Sequence, residues 1–401
     1  MRFLIITQDL RVSGTSQGII ERSFLSKLRK LYPDAIIDVL YICTHTYDDS
    51  LDVLPVNSIN KKIVNTKIPF HIKWMNRISR RLFNSLLAEN YIHKQYAKEI
   101  KKVDYTMYNH IMVRSAGLDY ETVLAMHNLP ILKYSIVNFH DPYPYAWYKG
   151  KAERITPNEF KRLQKVIEIV KDAKICCASA YYMAKDLQYL YASDKYFYTL
   201  PHQFAFDGFD LSDNTNVRKK NKKIQISYHG ALMFGRNVFT IVEAFKQLME
   251  EHEWIKKDVE FVLRVKGDGV NKLKEFVKDV DNILVLDTLN FSNSSNEQIY
   301  ESDINIILEN GPHYCNILGG KVPFLFAINK KVFISSPERS ELRRYLPNHP
   351  FLCDMNDLED TKSKLHKALT LGELHNLTAK KLFSDENFKK QLDVILQEKL
   401  I

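Results

Sequence analysis

The chain is poor in the residues that interrupt regular structure, with glycine and proline numbering 13 each among 401 residues. That scarcity excludes collagen-like and low-complexity disordered classes. No run of 18 or more apolar residues occurs, so no membrane-spanning helix is expected, and the apolar start MRFLIIT is too short for the core of a secretory signal. A cytoplasmic location is the expectation. The five cysteines, Cys43, Cys176, Cys177, Cys315 and Cys353, are an odd number without a Cys-x-x-Cys pair. This argues against a disulfide framework or a zinc site and for buried free thiols.

What is present is a globular composition, 45% hydrophobic and 26% charged, with core enough for two or three domains. Lysine and arginine exceed aspartate and glutamate by 57 to 48, and the net charge of +9 favours anionic partners such as phosphorylated substrates or an acidic membrane face. No nucleic-acid-binding module is recognisable and no basic stripe is interleaved with stacking aromatics, so nucleic acid is not an expected partner.

Periodicity orders the chain as repeated strand-helix steps. RFLIIT (2–7) reads as a buried strand, Ile20, Phe24, Leu28 and Leu31 mark an amphipathic helix, and DAIIDVLYI (34–42) is a second strand. Such a βαβ opening implies a parallel sheet. Lys73 to Lys102 reads as one long basic amphipathic helix whose apolar face packs inward. Strands are expected at 110–114, 132–139 and 173–178, and helices at 120–127, 160–170 and 180–191. The polar, aperiodic SDNTNVRKKNKK (212–223) reads as an interdomain linker. Beyond it a second series begins at 224–228, with strands at 259–265, 283–286, 304–308, 332–335 and 351–353.

Ligands bind open parallel sheets at the carboxyl ends of strands, where loops and helix N-termini present N–H groups. Four stretches hold such places. Gly14 to Gly18 could admit a ligand close to the backbone or could be a flexible turn, since its spacing matches no phosphate-binding fingerprint. Gly230 to Asn237 (GALMFGRN) sets Arg236 at the expected start of a helix, where an anion would relieve the conflict between guanidinium and helix dipole. Asn316 to Lys321 (NILGGK) pairs Gly319 and Gly320 with a lysine, suiting a phosphate cradle or a helix cap. His140-Asp141-Pro142 ends a buried strand with two side chains fit for acid-base work or for anchoring sugar hydroxyls. Tyr143, Tyr145, Trp147 and Tyr148 follow, able to stack on a sugar or simply to pack.

So placed, these pieces resemble the GT-B glycosyltransferases, most nearly the glycogen-synthase-like and mannosyltransferase-like family found in bacterial surface polysaccharide clusters. ISYHGALMFGRNVFTIVEAF, RVKGDG and ESDINIILENGPHYCNILGGKVPFLFAINKKVFISSPERSEL are similar to the family's nucleotide-sugar domain. VNFHDPYPYAW, AKICCASAYYMAKDL and YTLPHQFAFDGFD resemble its first domain. The resemblance implies an α/β fold of two Rossmann-like parallel-sheet domains facing a cleft. An acceptor-binding domain would span 1–211, a linker 212–223, a nucleotide-sugar domain 224–380, and a C-terminal helix at 381–401 would pack back on the first domain.

It further implies transfer from a nucleoside diphosphate sugar to a glycan or lipid-linked oligosaccharide, with no cofactor and no metal. Arg236 and Lys321 would hold the donor phosphates, Gly14, Gly18, Gly230, Asn237, Asn316, Gly320 and Glu341 would complete the donor site, and His140 and Asp141 would be catalytic or sugar-positioning. Residues 73–102 would rest on an anionic membrane surface. One departure stands out: Phe324 occupies a place where the family often carries a glutamate, Glu309 does not fit the usual spacing, and Glu341 is the candidate substitute for gripping the ribose. A sugar-nucleotide epimerase or hydrolase, or a non-catalytic sugar-nucleotide-binding partner, are the alternatives on the same frame.

Overall fold

Near-continuous apolar runs, the pattern of strands covered on both faces, build two all-parallel sheets. The computed structural model describes residues 1–47, 49–117, 120–144, 156–191, 194–372 and 377–397. The first sheet comprises β1 (Arg2–Thr7), β2 (Ile36–Cys43), β3 (Ser58–Ile63), β4 (His110–Arg114), β5 (Ser135–Phe139), β6 (Ile175–Ala178) and β7 (Phe197–Thr199), in the order β3-β2-β1-β4-β5-β6-β7. The second comprises β8 (Ile224–Ala231), β9 (Val259–Lys266), β10 (Ile283–Leu286), β11 (Ile304–Leu308), β13 (Lys331–Ser336) and β15 (Leu352–Asp354), in the order β10-β9-β8-β11-β13-β15. Two short strands, β12 (Tyr314–Cys315) and β14 (Arg339–Ser340), pair only with each other. Strand order reverses once in each sheet, between β1 and β4 and between β8 and β11. The carboxyl ends of strands at such a reversal leave a crevice for ligands.

The described residues divide into two compact units, the first running to Phe209 and regaining Asp385–Gln397, the second spanning Asp210–Ser384. In the first, Thr15 caps α1 (Ser16–Leu31) by accepting a bond from the Gln17 amide, and Arg29 and Lys30 suit the carbonyl end of the helix dipole. Its Phe24, Leu25 and Leu28 pack with Phe388, Leu392 and Ile395 of the helix Asp385–Gln397 in one core, Phe24 meeting Phe388 edge to face at 6.2 Å. Burying each such side chain is worth about 2 kcal/mol. In the second unit Ile241, Val242, Phe245 and Leu248 of the helix Phe239–Glu251 close the core over β8 and β9. All five cysteines are buried and free.

Three expectations give way. The single helix from Lys73 to Lys102 is two, α2 (Phe70–Phe83) and α3 (Leu87–Ile100), because Asn84 takes a left-handed conformation (φ 50°) that ends the first. The apolar face of α2 does not pack inward; α2 has no buried residue, whereas α3 buries His93, Tyr96 and Ile100. The stretch 212–223 is tied down along the second unit: Asp213 accepts from Asn290 (2.9 Å) and Asn293 (2.7 Å), and Arg218, Lys219 and Lys220 pair with Glu260, Glu301 and Asp303 at 2.7, 2.7 and 2.9 Å. Its charges are therefore partners of one surface, which composition alone could not reveal.

Candidate functional site

In the second unit the candidates gather at the strand-order reversal. β8 runs on through Ala231, so Gly230 is a strand residue and not part of the loop expected there. The chain then turns through two left-handed residues, Phe234 (φ 56°) and Gly235 (φ 73°). Only glycine fits at 235, where a Cβ would lie 2.5 Å from the Gly311 carbonyl oxygen. The following helix starts at Phe239, so Arg236 does not sit on its first turn as expected. Instead the reversed chain sends the guanidinium back to the strand ends, where Nε donates to Asn310 Oδ1 at 3.0 Å and Nη1 to the Ala231 carbonyl at 3.1 Å. Asn237 is spent on structure: its amide nitrogen donates to Thr240 Oγ1 (2.6 Å) and to the Met355 carbonyl (3.0 Å).

Lys321 precedes the helix Val322–Ala327 and is an exposed residue whose ammonium donates to the His229 carbonyl on β8. Desolvation of that ammonium first, then the positive charges of Arg236 and Lys266, brings its pKa down to about 7. Arg236, Lys321 and Lys266 thus converge at the ends of β8 and β9, and none forms an ion pair among the described residues. His229 itself is held neutral, burial and the charges of Lys321 and Arg264 pushing its pKa far down, with Nδ1 2.9 Å from Ser294 Oγ.

Behind the cations lies a carboxylate pair. The β12-β14 ladder draws the chain after β11 against Ser340-Glu341, and Glu309 and Glu341 are both buried. Burial, with Glu341's charge adding to it, raises Glu309 to about 7 against the bonds from Ser340, Ser336 and the Leu342 amide. Ser336 Oγ donates to Glu309 Oε2 at 2.7 Å. Phe324, at the place of the family glutamate, is buried, its ring 6.2 Å from that of Phe291. Asn316 is buried as well, and Gly320 sits beside Lys321 at the foot of the same helix.

The first unit carries a separate cluster at its own reversal. His140, directly after β5, is fully buried, and its Nδ1 meets the Gln17 amide and stands 3.3 Å from Glu21 Oε1. Glu21 pairs with Arg114 at the end of β4, at 2.5 Å, and burial lifts its pKa to about 7 despite that partner. His202 stands edge-on to His140 at 5.2 Å. Burial, with Arg114 and His202, holds the His140 imidazole neutral, and its Nε2 has no hydrogen-bond partner among the described residues. Asp141 accepts a bond at its carbonyl from the Tyr120 hydroxyl. Tyr143 is buried and stacked on Tyr120 at 4.5 Å, whereas Tyr145, Trp147 and Tyr148 lie outside the described residues.

The two glycines of the first unit expected near the donor, Gly14 and Gly18, differ. A Cβ on Gly18 would collide at 2.1 Å with the Arg11 carbonyl oxygen, so this glycine serves the protein's own packing; Gly14 (φ 82°) has nothing within 4 Å. Sequence reasoning missed Glu21, Gln17, Arg114, His202, Lys266 and Asn310. Arg114 and Lys266 were visible as charges closing apolar strands. Glu21, among the apolar positions of α1, signals a buried partner only once the partner is known. Among the described residues no cluster of three or more His, Cys, Asp or Glu side chains could hold a metal ion.

Neither a protein-family model nor a curated protein matches the sequence. Solved structures match over nearly the whole chain, and the fold is that of the GT-B glycosyltransferases, as expected. Sucrose-phosphate synthase of Thermosynechococcus elongatus aligns at a TM-score of 0.66 with 14% identity, covering 98% of each chain. A trehalose-6-phosphate protein of E. coli bound with UDP-2-fluoro glucose aligns at 0.63 with 9% identity over 100% of both chains. A glycosyltransferase of Rickettsia africae aligns at 0.61 with 16% identity, covering 99% of this chain and 97% of the other.

Proposed function

We propose that the chain is a glycosyltransferase that moves a sugar from a nucleoside diphosphate sugar to a glycan or lipid-linked oligosaccharide, in bacterial surface polysaccharide synthesis at the cytoplasmic face of an anionic membrane. The observation that carries it is the convergence of Arg236, Lys321 and Lys266 at the β8–β11 reversal, without a carboxylate counter-ion among the described residues. Departure of a nucleoside diphosphate builds negative charge on its phosphates, and preorganised cations stabilise that charge as it forms. In this reading Arg236 and Lys321 do what a divalent ion does in metal-dependent transferases, and no metal is needed. The buried Glu309 and Glu341 supply acceptors for the donor ribose in place of the glutamate replaced by Phe324. His140, neutral and with an unpartnered Nε2, positions a sugar hydroxyl rather than delivering a proton as imidazolium.

The uridine nucleotide bound by the E. coli neighbour makes UDP the first nucleotide to test. Calorimetric titration of UDP, GDP, CDP and TDP without added metal should find one that binds. Arg236→Ala should weaken that binding by about 2 kcal/mol, the size of a lost charge-assisted contact. Failure of all four to bind would remove the donor assignment and leave only the fold.

A further inference from the structure

The surface of the first unit carries a helix built the wrong way round for a protein that meets only water. On α2, Phe70, Trp74, Ile78 and Leu82 recur at every fourth residue and form one stripe, flanked by Met75. All five are exposed, Phe70 at 83%, Leu82 at 65% and Trp74 at 56%. The half-buried positions of the helix are Ile72, Asn76 and Ser79, and Asn76 Oδ1 accepts the Ala88 amide at 3.2 Å. The protein-facing side is thus largely polar and the outward side apolar, the reverse of an ordinary surface helix.

Charge completes the pattern. Lys73, Arg77, Arg80 and Arg81 flank the stripe, and the helix contains no aspartate or glutamate. At the foot of α2 and α3 the same surface opens into a cavity of about 780 Å³, lined by Ile72, Met75, Leu86 and Leu87 and edged by Lys94 and Lys165. Burial lowers the Lys165 pKa to about 8, and its ammonium lies 3.0 Å from His93 Nδ1. Apolar groups ringed by cations match one occupant, the headgroup and upper acyl region of an anionic bilayer.

We propose that α2 is an interfacial anchor that inserts the Phe70, Trp74, Ile78 and Leu82 stripe into an anionic phospholipid surface while Lys73, Arg77 and Arg81 meet the headgroups. This rests on the membrane-surface reading above and specifies it: α2 alone makes the contact, and its apolar side faces lipid. The 14-residue helix lies in the plane of the interface and does not cross it.

The test is co-sedimentation of the full chain with vesicles of phosphatidylcholine alone and of equimolar phosphatidylcholine and phosphatidylglycerol, with tryptophan emission recorded in parallel. Wild type should bind the anionic vesicles with a blue shift that Trp74→Phe abolishes. Trp74→Ser with Leu82→Ser should weaken binding about a hundredfold. Replacing Lys73, Arg77 and Arg81 by glutamine should weaken it to a similar degree on anionic vesicles only. Since these side chains are exposed, the variants should unfold at the wild-type midpoint. If wild type binds and the α2 variants bind equally well, the anchor is overturned while the membrane reading stands. If wild type binds neither vesicle, both fall. A wild type that is dimeric in sedimentation velocity, monomeric as the Trp74→Ser, Leu82→Ser variant and indifferent to vesicles would assign the stripe to a second copy and overturn the proposal.

Discussion

Each sheet gathers charge at the point where its strand order reverses, but the two gatherings are solved differently. At the β1–β4 reversal Arg114 is buried against Glu21, so the cation is neutralised within the protein and His140 is left uncharged beside the pair. At the β8–β11 reversal Arg236 and Lys321 lie near each other and near Lys266, with no carboxylate within ion-pair distance among the described residues. A protein gains nothing for its own stability by crowding like charges without a counter-ion. The difference separates a cluster balanced within the fold from one that an outside anion would complete.

The largest effect is expected at Arg114: Arg114→Ala strands Glu21 as an unpaired buried carboxylate and should cost about 3–5 kcal/mol in urea unfolding. The double change Arg114→Met, Glu21→Gln should recover most of it. Arg236→Ala should leave unfolding within about 1 kcal/mol of wild type while weakening nucleoside diphosphate binding by about 2 kcal/mol. Equal unfolding penalties at the two arginines would erase the distinction.

Next come the glycines. Gly235→Ala meets both a left-handed φ and the Gly311 backbone, and should cost more than about 2 kcal/mol in thermal unfolding. Gly14→Ala, left-handed but in open space, should cost only about 1 kcal/mol.

The smallest and most diagnostic effect is in pH. Lys321 titrates near 7 when folded and near 10.5 when unfolded, so between those values the unfolded chain binds more protons and stability of the ligand-free protein rises with pH. Solvent screening of the exposed Lys321 keeps the slope well below the single-group ceiling of about 1.4 kcal/mol per pH unit, and Lys321→Met should flatten it. A bound diphosphate raises the lysine's pKa again, so affinity should fall as pH climbs above about 7. Binding near that pH should take up protons, seen as a dependence of calorimetric heat on buffer ionisation enthalpy.

Much of the fold was legible because buried parallel strands are written as apolar runs. IQISYHGA and VEFVLRVK stand out without any knowledge of their neighbours. β3 was not legible: SINKKI is an edge strand with no residue fully buried, and it carries no apolar run to mark it. The break in the long basic helix was hidden for a related reason, since Asn84 interrupts by backbone conformation and not by composition. In the site, Arg236 and Lys321 were readable from Gly-Arg and Gly-Gly-Lys placed after strands. Their meeting was not, nor was the pairing of Glu21 with Arg114, because contacts between residues so far apart in sequence exist only once the sheets have formed.

The helix Asp385–Gln397 has a consequence for how the molecule is made. Phe388, Leu392 and Ile395 belong to the core of the first unit, with Tyr32 bonded to Asp393 at 2.5 Å and Lys27 paired with Asp385, yet a ribosome delivers them only after the whole second unit. During translation α1 must therefore wait with Phe24 and Leu28 uncovered while the rest of the first unit and then all of Asp210–Ser384 emerge. The nascent first unit is open to chaperones for that interval, and its completion signals that the second has already been synthesised.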